Sequence, residues 1–212
     1  MCSYTLAMAA LADLALTPVL ASERLLPVTA ALEAALPQRG IQRGSTVLVT
    51  AEGVPGCTSL ALELLVGISM SGSWCAVAGY PGLGLVAASE RGLELSRLLL
   101  VPDPGDPERC QRVVAALFDA VDAVLLVPPR SIRPADARWL AVRARDRHSV
   151  LMVLDREMSW TGPADLRCSV TASSWSGLGK GYGLLRSHSM EIEVTGRGAA
   201  ARPRRVSVSL SA

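Results

Sequence analysis

The sequence predicts an α/β fold in which a mostly parallel sheet carries helices on both faces and the chain closes in an antiparallel hairpin. From residue 46 onward, short apolar runs alternate with helical segments, a pattern typical of parallel strands joined by crossover helices. After residue 189, two segments alternate apolar and polar residues and are separated by a short loop. That alternation indicates a half-buried terminal hairpin.

The parallel part of the sheet is predicted from five apolar segments. They are STVLVTA (45–51), SWCAVAGY (73–80), RLLLVPD (97–103), DAVLLVPP (122–129) and SVLMVLD (149–155). Helices are predicted between these strands at 58–70, 85–92, 106–121 and 134–148, and the last two begin at Pro107 and Pro134, as helices often do. The first of these helices is apolar on nearly every side, so we expect it to be buried against the sheet.

The region after Asp155 changes to Gly, Ser and Trp, which are typical of turns, and only RCSVTA (167–172) reads as a strand within it. The stretch GLGKGYG follows no clear strand and opens no helix, so we interpret it as a flexible loop rather than a dinucleotide fingerprint. The hairpin is predicted at 190–196 and 204–210, joined by the loop RGAAARP.

Length and composition fit one folded domain at residues 26–212 behind an N-terminal helical extension at 1–25. Half of the 212 residues are apolar and 19% are charged, which argues against disorder, and no apolar run reaches membrane-spanning length. The apolar N-terminus lacks the basic residues that open a signal peptide, so we expect a docking helix. We therefore predict a soluble, cytoplasmic protein without contact to a membrane.

Cysteine usage and charge add two expectations. The five cysteines are an odd number, widely spread and without a Cys-x-x-Cys pair, which argues against disulfides and zinc and fits a reducing cytosol. The stretch 180–212 carries six basic residues against two acidic ones, while the whole chain has a net charge of +2. Such asymmetry permits contact with nucleic acid or an acidic partner, although a solvated arginine-rich edge is the alternative.

The junction VTAEGVPGCTSLALELL (49–65) runs from a strand through glycines into a helix, as a phosphate-binding loop does. A working loop needs Lys for the outer phosphates and Ser or Thr for Mg²⁺. If Thr58 is aligned with that hydroxyl, Gly56 matches the second glycine, Cys57 replaces the lysine and Ala51 replaces the first glycine. The degenerate loop thus comprises Gly53, Pro55, Gly56, Cys57 and Thr58.

The missing lysine has a definite cost. One charge-assisted hydrogen bond contributes about 1.5 to 3 kcal/mol, so its loss weakens binding about tenfold to a hundredfold, and phosphoryl transfer depends almost wholly on such charges. The strand 122–129 also ends in Val127 and Pro128 instead of a metal-binding Asp. Weak anion binding at the bare helix N-terminus stays open. We expect no catalytic residue, no metal and no cofactor.

Cys57 as a nucleophile is disfavoured because CTSLALE has no Arg to hold a phosphate and the chain has no G-x-S-x-G elbow. A small packed residue is the preferred interpretation of Cys57. The two histidines, His148 and His188, are interpreted as surface or cap residues rather than bases.

Three stretches resemble the RecA core: LPVTAALEAALPQRGIQRGSTVLVTAEG, ASERGLELSRLLLVPDPG and the closing LRSHSMEIEVTGRGAAARPRRVSVSL. Within that family, RGSTVLVT, GSWCAVAG, RPADARWLAVRAR, WSGLGKGYG and TGRGAAARPRR resemble the actinobacterial RecA-like accessory proteins of the mutasome, the ImuA-prime family of the wider ImuA and SulA group. The resemblance covers roughly residues 25–212 and implies a RecA-like P-loop core.

The resemblance also implies a function. Where RecA places a catalytic glutamate after the second core strand, this chain has GYPGLG, with Pro81 and Gly82 near that position. The family role implied is a pseudo-ATPase in DNA-damage-induced mutagenesis, within the SOS response. Such an adaptor works with the ImuB Y-family-like protein and, through it, a C-family error-prone polymerase in translesion synthesis. Self-association is left open.

Candidate contact residues for DNA or a partner fall into three groups. The first is a basic stripe on the helix after Pro134, the second is a set of terminal arginines, and the third is a pair of tryptophans in the region that corresponds to the DNA-facing loops of RecA. They are Arg138, Arg143, Arg145 and Arg147; Arg202, Arg204 and Arg205; and Trp160 and Trp175. A solvated helix face and core packing of the tryptophans are the alternatives.

Two further functions stay open beside the non-catalytic adaptor. One is a residual nucleotide-dependent RecA-like ATPase or switch that uses the altered loop. The other is a SulA-like inhibitor that docks on another protein's assembly edge.

Overall fold

The computed structural model describes residues 24–51, 53–178 and 183–211. The strands are β1 (Leu25–Pro27), β2 (Gly40–Gln42), β3 (Thr46–Ala51), β4 (Cys75–Ala78), β5 (Leu98–Val101), β6 (Ala123–Leu126), β7 (Val150–Leu154), β8 (Leu166–Leu178), β9 (Gly183–Gly196) and β10 (Arg204–Ser211). The α-helices are α1 (Ala30–Glu33), α2 (Cys57–Met70), α3 (Leu85–Glu90), α4 (Pro107–Phe118) and α5 (Pro134–Asp146). The N-terminal extension predicted for residues 1–25 lies outside this range except for its last two residues.

The main sheet has eight strands in the order β10-β9-β8-β3-β7-β6-β4-β5. The strands from β8 to β5 are parallel to one another, whereas β9 is antiparallel to both β8 and β10. The predicted α/β class, with a mostly parallel sheet and a closing hairpin, is therefore confirmed. In this order β3 is a central strand between β7 and β8, so the loop that follows β3 opens near the middle of the sheet.

Helices cover both faces of the parallel strands, as predicted. On one face, α2 packs in a core cluster with apolar side chains of β3, β7 and β9, and ten of its 14 residues are buried. On the other face, α4 and α5 pack in a second cluster that includes Val114 and Leu140. Strands buried on both faces need continuous apolar runs, which is why VLVT and VLMVL could be recognised as strands from the sequence.

The N-terminal unit β1–α1–β2 crosses the buried face of α2 at very short range. A Cβ placed on Gly67 would lie 2.4 Å from the backbone Cα of Val28 and 2.6 Å from the backbone N of Thr29. The Thr29 hydroxyl donates to Glu63 Oε1 at 2.6 Å, which gives this buried helix carboxylate a partner. The crossing therefore depends on a residue without a side chain at position 67.

The Gly/Ser-rich region differs from the sequence-based expectation. The predicted six-residue strand 167–172 is β8, of 13 residues, and the second strand begins at Gly183 instead of residue 190. Of the stretch predicted as a loop, Gly177, Leu178 and Gly183 belong to strands, and 179–182 lie outside the described residues. Pairing with β9 keeps this part of β8 in a strand although its sequence has no apolar pattern. The pairing has two register shifts, at Val170/Ala172 and Ser176/Leu178.

Within the described ranges, no helix combines the length and the apolar character needed to cross a membrane.

Candidate functional site

The loop between β3 and α2 lies at the carboxyl end of the central strand, where open parallel sheets bind their ligands. Gly56 is the residue before α2 and has φ 130° and ψ −15°, while Gly53 has φ 72°. The turn is closed by hydrogen bonds from Gly53 N to Ala51 O and from Leu60 N to Gly56 O. The predicted strand-to-helix turn is therefore present, and both positive φ angles require glycine.

The beginning of α2 is uncapped. No side chain of the described residues accepts a hydrogen bond from its first turn as a cap, and that turn has no acidic residue. Cys57 is half-buried and packs against the core cluster under α2. Residues 53–58 contain no cationic side chain, so a phosphate held there would meet backbone N–H groups, the helix dipole and neutral side chains, but no cation from the loop itself.

The loop packs directly on the β8–β9 hairpin. A Cβ on Gly56 would lie 3.1 Å from Met190 Sδ, 3.3 Å from Val170 Cγ1 and 3.6 Å from His188 Cε1. Two of these three contacts are with apolar groups. The space next to the loop is therefore filled on one side by the hairpin.

His188 is the residue of this site that sequence reasoning missed. The interpretation of His188 as a surface or cap residue is wrong, because its side chain is fully buried. Its Nε2 lies 2.7 Å from Ser173 Oγ, and the Trp175 ring stacks on the imidazole with a centroid distance of 3.6 Å. No residue of the described ranges hydrogen-bonds its Nδ1. Burial and, to a smaller degree, the positive charge of Arg91 lower the pKa of His188, which favours a neutral imidazole.

On the other side of the loop, Thr58 Oγ1 lies 3.5 Å from Tyr80 Oη, at the limit of a hydrogen bond. Tyr80 follows β4 and is half-buried against the α2 core. Tyr80 could have been found because it follows the end of a predicted strand, and His188 because it lies beside the predicted hairpin. Their proximity to the loop depends on strand order, which no local sequence pattern reveals.

A cavity of about 360 Å³ lies at the carboxyl ends of β6 and β7 and is lined in part by Val127, Pro128 and Asp155. Asp155 is buried, and its carboxylate accepts hydrogen bonds from Ser159 N and Trp160 N at 2.9 and 2.8 Å. This carboxylate therefore stabilises the loop after β7. Within the described ranges no group of three His, Cys, Asp or Glu side chains could hold a metal ion.

Buried thiols are also poor nucleophiles here. Burial raises the pKa of Cys110 to about 11 and that of Cys168 to about 12.

The predicted basic stripe at α5, with its four arginines, is partly neutralised by two carboxylates. Arg143 and Arg147 both pair with Asp119, at 3.1 and 2.7 Å, and Arg145 Nη2 lies 3.5 Å from Asp165 Oδ1. Arg138 is exposed and has no ion pair within the described residues. Sequence periodicity placed these arginines on the surface correctly, but it could not reveal acidic partners about 20 to 28 residues away in the chain.

The terminal arginines differ from those of α5. Arg205 Nε lies 3.5 Å from Glu193 Oε1, whereas Arg202 and Arg204 are exposed and unpaired within the described residues. Because β9 runs antiparallel, with Gly196 beside Leu166, these arginines lie at the amino ends of the parallel strands. The end of α5 lies there too, so both arginine groups share the sheet end opposite to the loop.

The two tryptophans have different environments. Trp160 is buried in the cluster under α5 and donates from Nε1 to Pro163 O at 3.3 Å, so it is a core residue and the interpretation as an exposed contact is wrong. Trp175 is 42% exposed and lies on the loop side of the hairpin. Of the pair, only Trp175 offers a ring face to another molecule.

Comparison with known proteins gives two matches. The family described as the MT3502 N-terminal domain matches residues 34–162, a range that begins before β2 and ends after β7. An uncharacterized protein of Mycobacterium tuberculosis, Rv3395c, is 35% identical over 149 residues, which cover 68% of this chain and 71% of the relative. The family match therefore includes the loop and α2 and stops before the hairpin.

Proposed function

The chain belongs to the MT3502 N-terminal domain family, and from its sequence resemblance and the geometry of the loop after β3 we propose that it is a non-catalytic, RecA-like adaptor of the DNA-damage-induced mutasome. In this proposal it is a member of the ImuA-prime group, works in the cytoplasm and docks on ImuB. Through ImuB it supports error-prone synthesis by a C-family polymerase. The resemblance in sequence supports membership of the ImuA-prime group, and the mycobacterial relative is compatible with an actinobacterial origin.

The surroundings of the loop after β3 support the proposal that the protein is not a catalyst. The loop after β3 keeps the position of a phosphate loop and its second glycine, Gly56, yet a Cβ on Gly56 would lie 3.1 to 3.6 Å from hairpin side chains and residues 53–58 have no cation. Asp155, an acidic group at the neighbouring strand end, is already occupied by backbone donors. An ATPase needs a cation, a metal ligand and a base at these strand ends. The described residues are better suited to docking than to hydrolysis.

Exposed apolar side chains supply candidate docking surfaces. On α5, Trp139 and Val142 are 46% and 53% exposed and lie one turn apart. On the edge strand β5, Leu99 and Leu100 are more than one third exposed. Large exposed aromatics are enriched in protein interfaces. DNA contact through Arg202 and Arg204, and self-association, are secondary parts of the proposal.

Co-purification tests the proposal. Tagged full-length protein and ImuB are co-expressed, and we expect ImuB to be retained without added nucleotide and equally by Cys57→Lys. A Trp139→Ala/Val142→Ser double variant is compared with Leu99→Ser/Leu100→Ser, and each must show native thermal unfolding before it is used. If one double variant fails to retain ImuB and the other retains it, the substituted surface of the first is the docking surface.

Two results of this experiment would reject the adaptor. The first is failure of the full-length chain to retain ImuB while it retains a cell-division protein, which supports the SulA-like alternative. The second is retention of ImuB only in the presence of Mg-ATP.

A nucleotide-dependent switch is the second candidate. The observation in its favour is the buried Nδ1 of His188, unpaired within the described residues, beside the uncapped N-terminus of α2. An anion there would find a donor as well as backbone N–H groups.

A further inference from the structure

A larger cavity lies at the opposite end of the sheet from the loop. It encloses about 530 Å³, within the range of small-molecule sites. Four segments that are distant in sequence form it: residues 37–45 around β2, the end of α5, the start of β8, and the turn 197–200 after β9. We call it the amino-end cleft, because it lies at the amino ends of β3, β7 and β8.

The charged groups of the amino-end cleft are mostly cationic. Arg43, Arg145 and Arg197 line it, and Asp165 is the single acidic residue among the lining side chains of the described chain. Arg43 Nη1 lies 2.6 Å from Asp122 Oδ1, and Asp122 is not part of the lining. Arg197 is exposed and has no ion pair within the described ranges. Arg145 Nη2 lies 3.5 Å from Asp165 Oδ1, so the unpaired Arg197 gives these groups one positive charge in excess, which a ligand anion would balance.

Hydrogen bonds fix the walls of the amino-end cleft before any ligand binds. Asp165 Oδ2 accepts from Thr46 N at 2.9 Å, and the Asp165 backbone accepts from Arg197 N at 2.9 Å. On the facing wall, a Cβ on Gly44 would lie 3.1 Å from Arg145 Cα, so the turn after β2 packs tightly on the end of α5. The backbone segments that carry Arg145 and Arg197 are therefore fixed, which lowers the entropy lost when a ligand binds.

The remaining lining suits the organic part of a ligand. Ile41 is buried below the cleft, Leu166 is half-buried, and the Gln38 and Gln42 side chains are exposed at its rim. Guanidinium groups match phosphate oxygens in a bidentate geometry and stack on planar rings. We propose that the amino-end cleft binds a phosphate monoester of the size of a mononucleotide, with Arg197 and Arg145 on the phosphate. The amino-end cleft is separate from the α2 loop, and the proposal does not rest on ImuB docking.

Calorimetric titration of the full-length protein with thymidine 5′-monophosphate tests the proposal. Thymidine and inorganic phosphate are titrated in parallel. We expect the monophosphate to bind, inorganic phosphate to bind more weakly and to compete with it, and thymidine not to bind. Arg197→Ala should weaken the monophosphate about tenfold, the effect of one lost charge-assisted hydrogen bond.

Arg202→Ala is the matched control, because Arg202 is also an exposed arginine but does not line the cleft. It should bind the monophosphate as the wild type does. Both arginines are exposed, so neither substitution removes buried contacts. Binding of thymidine as tight as that of the monophosphate, equal affinity of the two arginine variants, or no binding of the monophosphate at millimolar concentration would overturn the proposal.

Discussion

At the residue scale, the site is determined by glycines whose backbone angles or neighbours exclude a side chain. Gly56 combines both constraints, with φ 130° and hairpin atoms 3.1 to 3.6 Å from the place a Cβ would take. Gly53 has only the positive φ, since nothing lies within 4 Å of its Cβ position. The pair separates the cost of backbone strain from the cost of packing.

We predict that Gly56→Ala lowers the free energy of unfolding by about 1 to 3 kcal/mol, because strain and a displaced Met190 add. Gly53→Ala should cost about 1 kcal/mol, the left-handed strain alone. Urea denaturation of both variants measures the difference. Equal losses would mean that the contact between the loop and the hairpin contributes no stability.

His188 predicts a pH dependence of stability. Because burial and Arg91 lower its pKa below the ordinary 6.5, the folded chain binds fewer protons than the unfolded chain as pH falls. The stabilisation is therefore complete above about pH 6.5 and is lost progressively as the pH drops below that value. Urea denaturation between about pH 8 and pH 5 should show this loss in the wild type and a smaller loss in His188→Gln.

His148→Gln is the control for this prediction, because His148 is exposed at the end of α5. It should keep the wild-type pH dependence. A wild-type slope that survives in His188→Gln would contradict the assignment to His188.

At the element scale, α2 illustrates what sequence patterns can and cannot predict. Its continuous apolar sequence predicted burial on nearly all sides, which is confirmed. The helix propensity scale, however, disfavours Gly67 inside it, and only the structure explains the residue, since β1–α1 crosses there.

Gly67→Ala therefore gives a test with opposite signs. Helix propensity alone predicts stabilisation by about 1 kcal/mol, whereas a Cβ at 2.4 Å from the Val28 backbone predicts destabilisation by about 2 kcal/mol or more. We expect a lower thermal midpoint. A raised midpoint would show that the N-terminal unit is free to move away from α2.

The elements that could be predicted are those with a continuous or alternating apolar pattern. β3, β7 and β10 have such patterns, and their positions were predicted to within a few residues. The outer half of β8, with Ser173, Ser174 and Ser176, lacks one, and its strand structure depends on cross-strand partners such as His188 and Ser187. Pairing between these two consecutive strands leaves no apolar pattern in their serine-rich halves, so the sequence predicts β8 and β9 shorter than they are.

The same reasoning applies to the candidate site. The loop residues were predicted because strand, glycines and helix are contiguous in the chain. The environment of the loop, with His188, Trp175 and Tyr80, is assembled by the hairpin and the end of β4, all distant from the loop in the sequence. Ion pairs such as Arg147 with Asp119 are non-local in the same way.

At the scale of the whole molecule, the sheet has two different ends. The carboxyl ends of the parallel strands hold the degenerate loop and the exposed Trp175. The amino ends hold the arginines of α5, the terminal arginines and the amino-end cleft. Contacts with an acidic partner are therefore expected at the amino ends of the parallel strands.

We predict that the terminal arginines, rather than those of α5, govern binding of single-stranded DNA. An Arg202→Ser/Arg204→Ser variant should reduce the slope of log affinity against log salt by about 1.4, since each lost phosphate contact removes about 0.7. An Arg143→Ser/Arg147→Ser variant should reduce the slope by about 0.7 at most, because the two side chains share the Asp119 carboxylate and have one net positive charge between them. Fluorescence anisotropy at several salt concentrations measures the slopes. A larger loss of slope in the α5 variant than in the terminal variant would contradict the prediction.

The central claim is that the fold retains the position of a phosphate loop without the charges that would make it work. Calorimetric titration of the wild-type protein with Mg-ATP tests it most directly. We predict a dissociation constant weaker than about 1 mM, and a tightening of about tenfold to a hundredfold at most in Cys57→Lys. Micromolar binding of Mg-ATP by the wild-type chain would contradict the claim and favour the nucleotide-dependent switch.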